Sequence, residues 1–244
     1  MIEKYYNGVI EQVAGGIGNV EHNSILVRYS NDFSIWDLES VNHYKDQTDI
    51  FFTCHEFSYN KIAEAYEPYL GLIRQMFHKY CSGTLEEFME ECDVYKLQRP
   101  VFESYFEKGF CERTEQILID EVEYEQERMR NSIVTMLQKL SEIRPVVIVL
   151  NRFQLASKST MQLSNSLLQV KNKNIGIVLG VNDVQSIPEF AHEEWDAICE
   201  SMDDRNMVYH IGNAGRNMEP DVMDYYSDYE SDDGYRKLNN LVYF

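Results

Sequence analysis

Residues Arg144–Thr160 read RPVVIVLNRFQLASKST, and this stretch decides the fold class. Five branched apolar residues, Val146 to Leu150, follow Pro145 and stop at Asn151-Arg152. An unbroken apolar run of that length predicts a strand covered on both faces, as in a parallel sheet, because a strand wet on one side would alternate with polar residues. The polar pair marks the point where the strand reaches the edge of the sheet.

The flanking sequence repeats the pattern. A helix is predicted over Ser159–Val170, then a second apolar strand in NIGIVLGVND at 174–183. A helix over Glu189–Met202 carries Phe190, Trp195, Ile198 and Cys199, and MVYHIG at 207–212 is a further strand candidate. Upstream, residues 1–20 read as a helix entering the glycine-rich turn AGGIGN, and NSILVRY supplies a strand at Ile25–Tyr29. SNDFSIWDLESV then opens a helix, and DIFFTCHEF at 49–57 is another strand. KIAEAYEPYLGLIRQMFHKYC sets Ile62, Tyr66, Tyr69, Leu72, Ile73, Met76 and Phe77 at helical spacing, with Pro68 marking the start near Glu67. Thr84 caps a short helix in TLEEFMEEC, the rest of 82–112 is less regular, and a long helix spans Glu115–Ile143.

Strands alternating with helices predict an α/β fold: a three-layer sandwich with a mostly parallel sheet of about five strands. Ile25–Tyr29, Val146–Leu150 and Ile175–Gly180 are expected to be parallel neighbours in it. Residues 1–218 form this domain. Residues 219–244 read as an acidic linker and the start of a following segment, with seven acids and no base between Glu219 and Asp233. The final apolar residues, LVYF, predict continuation into a longer protein.

The net charge of −19 repels phosphate backbones and anionic membrane surfaces, and no Lys/Arg cluster in the sequence overrides it, so neither nucleic acid nor membrane is an expected partner. No run approaches 18 apolar residues, and the N-terminus is unlike a secretory signal. The five cysteines are scattered and never spaced CxxC, which predicts free thiols and a cytoplasmic location. Cys54-His55-Glu56 would place a thiol beside an imidazole, but neighbours on a strand point to opposite faces.

The block RPVVIVLNRFQLASKSTMQLSNSLL resembles the acidic-strand region of the STAND class of signal-transduction P-loop ATPases, relatives of AAA+. There an apolar strand ends in two acids, followed by an aromatic or apolar residue and a small-residue loop with a Ser/Thr opening a helix. Phe153, Gln154, Ala156 and Ser159 fit that pattern, whereas Asn151 and Arg152 replace the acids. IGIVLGVND resembles the next strand of the family, in which Asn182 takes the place of the residue that senses the γ-phosphate. DIFFTCHEFSYNKIAEAYEPYLGLIRQMF resembles its second strand and following helix. The likeness covers about residues 20–215.

Two segments compete for the phosphate loop, which needs glycines, a lysine and a Ser/Thr. GGIGN at 15–19 has glycines but Asn19 where lysine belongs. SNDFSIWD at 30–37 follows a strand but has neither glycine nor lysine, and its place in the order favours it. By position, the degenerate nucleotide site would comprise Ser30, Asn31, Asp32, Ser34, Asn151, Arg152 and Asn182. With the lysine and the Mg²⁺ acid replaced, the resemblance implies a regulatory or scaffolding pseudo-ATPase module of a bacterial-type signalling protein, with no catalytic residue, no metal and no cofactor. Its expected partners are other domains of the same longer protein, a protein partner, or further copies of itself. The alternatives are an ATP-binding switch that takes ATP or ADP with Mg²⁺ and hydrolyses slowly, and an interaction domain of unrelated α/β ancestry.

Overall fold

The computed structural model describes residues 2–19, 23–30, 33–45, 49–58, 60–61, 63–109, 122–170, 172–183, 187–203 and 208–211. Asn31, Asp32, Cys111 and the acidic stretch 219–235 lie outside them. The chain runs α1 (Ile2–Gly15), β1 (Ser24–Tyr29), α2 (Glu39–Lys45), β2 (Phe51–Glu56), α3 (Tyr69–Tyr80), α4 (Leu85–Glu91), α5 (Arg99–Lys108), α6 (Val122–Ile143), β3 (Val146–Asn151), α7 (Lys158–Val170), β4 (Ile175–Asn182), α8 (His192–Asp203) and β5 (Val208–Ile211).

The sheet is open and parallel, in the order β2-β3-β4-β1-β5. Four strands of six to eight residues make its body, and the four-residue β5 extends it beside β1. β3, β4 and β1 are parallel neighbours, with Ile148 opposite Ile177 and Leu26 opposite Leu179. Val146 through Leu150 are all fully buried, which is why that run carries no polar residue.

From β1 the chain crosses to β2 at one edge, then returns through β3 and β4 and passes on to β5. With right-handed crossovers, α2 covers one face and the later helices the other. The packing agrees: α1 lies with α2 and against β4 and β1, while α3, α6, α7 and α8 pack in succession on each other. This arrangement is compatible with three layers.

Local chemistry explains several of the helix ends. Thr84 and Glu87 close a reciprocal capping box on α4. Pro68, after a cis peptide bond, caps α3, and Tyr66 takes a left-handed φ of 62° just before it. The predicted helical stripe therefore stops short of Tyr66, whose hydroxyl donates to the Gln126 carbonyl instead. RPVFESYFEK, in the stretch whose sequence is irregular, is α5: Pro100 sits in its first turn and Gly109, at φ 83°, ends it.

Helix α1 lies directly on β4, antiparallel to it, because two strand positions lack a side chain. A methyl at Gly176 would stand 2.7 Å from Val13 Cγ1, and one at Gly180 would overlap the Tyr6 hydroxyl. Neither glycine has a positive φ, so close approach alone requires them. Gly176→Ala is expected to lower stability by about 1–3 kcal/mol through overpacking. Adding Val13→Ala should cost less than the sum of the two single changes, a coupling measured by denaturant unfolding of the double-mutant cycle.

Candidate functional site at the carboxyl edge of the sheet

The handedness of the crossovers also fixes where a ligand site belongs. β1 delivers the chain to one face and β4 to the other, so their connections diverge at the carboxyl ends of these two neighbours. In open parallel sheets ligands bind at such a point. Tyr29 and Asn182, the last residues of the two strands, are partners in register there.

On the α1 face the crevice is filled by side chains. Tyr29 from β1 donates its hydroxyl to Asn151 Oδ1 of β3 at 2.7 Å, reaching across β4 above Gly180. Tyr6 from α1 comes down on the same spot. The rings of Tyr6, Tyr29 and Phe33 meet edge to face, with centroids 4.9 to 6.3 Å apart. A methyl on Gly180 would come within 2.6 Å of Asn151 Oδ1, so the glycine supplies the space that Tyr6 and Asn151 share. On the opposite face Arg28 Nε pairs with Asp183 Oδ1 at 2.6 Å, and the Asp183 N–H donates to the Tyr29 carbonyl at 2.8 Å.

The flanking charges are turned towards each other. Glu56, which ends β2, holds Arg152 Nη2 at 3.5 Å from Oε1 and accepts from Ser34 Oγ at 3.4 Å through Oε2. Ser34 also caps the 3-10 turn Ile35–Asp37 by accepting from the Trp36 N–H. Arg152 adopts a left-handed φ of 53°, and the Asn182 N–H donates to Gln154 Oε1 at 3.3 Å.

Buried polar atoms here without a hydrogen-bond partner among the described residues include the Tyr6 hydroxyl, Ser30 Oγ and Asn151 Nδ2. Burial, then the nearby Tyr29 and Glu56, push the Tyr6 phenol well above its ordinary pKa, so it stays a neutral hydroxyl. Cys54 and His55 form no activated pair. Burial pushes the thiol up to about 11, while burial and then Lys61 hold the imidazole below its ordinary value.

Of the residues singled out by sequence, Ser30, Ser34, Asn151, Arg152 and Asn182 gather at this one edge. Asn31 and Asp32 lie outside the described residues. The turn after α1 is elsewhere: the Gly18 N–H donates to the Lys173 carbonyl at 2.7 Å, at the amino end of β4, so GGIGN is at the opposite edge of the sheet. Sequence reasoning missed Tyr6, Gly180 and Glu56. The available signal was the pair of glycines inside IGIVLGVN, since glycine within a strand marks close approach of another element.

Among the described residues no group of three or more His, Cys, Asp or Glu side chains could hold a metal ion, and no helix is long and apolar enough to cross a membrane. No protein-family model, curated protein or solved structure matches the chain.

The two tyrosines should respond oppositely to loss of the hydroxyl. Tyr29→Phe leaves both polar atoms of a fully buried amide unpaired and should destabilise by about 1–3 kcal/mol. Tyr6→Phe removes a buried hydroxyl that has no partner and should be neutral or stabilising. Chemical denaturation of both variants checks the contrast.

His55 adds a pH dependence. Its folded pKa lies below the unfolded value of 6.5, so the unfolded chain takes up the proton first as pH falls. Its contribution is therefore full above pH 6.5 and is lost as pH drops below that. Melting temperatures from pH 8 to about 5 should fall less steeply for His55→Gln than for the wild type.

Proposed function

We propose that the chain is a P-loop-NTPase-like domain whose nucleotide crevice is closed by its own side chains. It serves as a regulatory or scaffolding module of a larger signalling protein, acting through interdomain or protein contacts. One observation carries this reading: the interlock of Tyr6, Tyr29 and Asn151 over Gly180, at the edge where a parallel sheet would receive its ligand.

The order of elements supports the family part. Ser30 and Ser34 follow β1, Asn151 ends β3 and Asn182 ends the strand between them, the places that the STAND-like pattern assigns to phosphate loop, metal acid and γ-phosphate sensor. The residues present do not fit Mg²⁺-ATP. An amide stands in place of the metal-binding carboxylate, and its Oδ1 is engaged by Tyr29. Glu56, the carboxylate that ends β2, is engaged by Arg152 and Ser34. No lysine occurs between Ser30 and Leu38 to meet β- and γ-phosphate charge.

A second reading, an ATP-binding switch, draws on buried donors that have no acceptor among the described residues, such as the Tyr6 and Ser30 hydroxyls and Asn151 Nδ2. Nucleotide titration separates the two. On the closed-crevice reading, millimolar ATP or ADP, with or without Mg²⁺, leaves the melting temperature unchanged, since only a ligand that binds the native state raises it. Phosphate release stays at background. A shift that saturates with nucleotide, or Mg²⁺-dependent turnover that is lost in Arg152→Ala, replaces the closed module with the switch.

A further inference from the structure

The amino edge of the sheet carries a feature that the reading of the carboxyl edge does not use. A cleft of about 470 Å³ is lined by Phe51, Arg74, Gln75, His78 and Lys79, with no carboxylate in its wall. Lys79 Nζ lies over the rings of Phe51 and Tyr80, 5.7 and 5.3 Å from their centroids. Arg144 Cζ stands 5.1 Å from the Tyr80 centroid. Arg74 spends its donors on the carbonyls of Phe106 and Glu107, at 2.8 and 3.4 Å. No carboxylate is paired with Arg74, Lys79 or Arg144 among the described residues, and Arg144 Nε is buried without an acceptor.

That grouping is unexpected in a chain with 41 acids and 22 bases. Where acids are in excess, cations are readily neutralised, as Arg28 and Arg152 are. Lys79 over two rings, with Arg74 in the same wall and Arg144 beside Tyr80 at its margin, makes a site for an anion that also brings apolar or aromatic groups. β2 is the outermost strand on this side, so the cleft opens beside an unpaired sheet edge.

We propose that this basic, aromatic-floored cleft receives the acidic tyrosine-rich segment of the same chain, residues 219–235. The chemistry is complementary: seven carboxylates and four tyrosines, with no base between Glu219 and Asp233. Tyrosine rings suit a surface where cations already lie over aromatic faces, and the carboxylates supply the acceptor that Lys79 lacks among the described residues. The reach is sufficient. Tyr225 stands 14 residues beyond Ile211, where β5 ends. Fully extended, that is about 46 Å, against roughly 30 Å for the diagonal of a sheet this size. The contact does not depend on whether the nucleotide crevice is closed.

Hydrogen exchange on the full chain tests it. Amides of 219–235 should exchange about tenfold more slowly than in the free peptide of the same sequence, and roughly 0.5 M salt should abolish the difference. Two variants should also abolish it: Arg74→Glu with Lys79→Glu in the cleft, and Asp224→Asn, Asp228→Asn, Glu230→Gln with Asp232→Asn in the segment. Exchange within β3 and β4 reports whether each variant stays folded. If the cleft variant loses that protection, the segment variant alone decides. Equal exchange in wild type, segment variant and free peptide overturns the proposal. So does slowing that grows with protein concentration, which would seat the segment of a second copy.

Discussion

The carboxyl edge of this sheet is organised around a side chain that is not there. At Gly180 the backbone of the central strand is bare, and the Tyr6 hydroxyl and the Asn151 amide occupy the space a methyl would take. Four residues along a strand span about 13 Å, and seven along a helix about 10.5 Å. Val13 and Tyr6 therefore track Gly176 and Gly180 along one antiparallel line, the length of the tyrosine making up the difference. Seating α1 this deeply places its first turns at the carboxyl end of the sheet. The same contact that packs the helix thus fills the crevice.

Electrostatics at that edge follow from enclosure. A fully buried amide such as Asn151 must find partners within the protein, and Tyr29 is the one that reaches its oxygen across β4. Arg28 with Asp183, and Arg152 with Glu56, are each largely buried, so each charge is matched locally rather than left to solvent. The four charges of these two pairs cancel, although the chain carries a net charge of −19. A triphosphate would have to break these pairs before it met a free cation, which is a stronger obstacle than the overall repulsion.

The layered architecture was legible because its signal is burial on both faces. The runs 146–150 and 175–181 contain no charged residue, as parallel central strands must, and their polar ends, Asn151 and Asn182, mark the carboxyl edge. The sequence also located Ser30 and Ser34 after β1, whose carboxyl end lies at that edge. The occupant of the crevice was not legible, since Tyr6 lies in a helix before the first strand and nothing in MIEKYYNGVIEQV shows which face of the sheet that helix covers. α5 was missed because Pro100 and the charged residues at 99, 103, 107 and 108 obscure an apolar face formed by Phe102, Tyr105 and Phe106. Glu56 reads as an ordinary strand end until the register sets it beside Asn151.

A crevice held shut by protein side chains has a thermodynamic consequence for a signalling role. Where a ligand ties an edge together, domain stability rises with ligand concentration, and that linkage is the switch. Here Tyr6, Tyr29, Asn151 and the two ion pairs tie the edge without one. On the proposed reading, a regulatory input must then act on a surface whose groups are not already matched. Charge matching differs sharply between the two ends of the sheet: the carboxyl edge pairs Arg28 and Arg152 with acids, whereas among the described residues Arg74, Lys79 and Arg144 at the amino edge meet only carbonyls and rings. A binding free energy large enough to bias a module comes from groups that gain partners on association, because a pair already made inside the protein gains little by exchange. By that criterion the amino edge, and not the carboxyl edge, is where the proposed module would be acted upon.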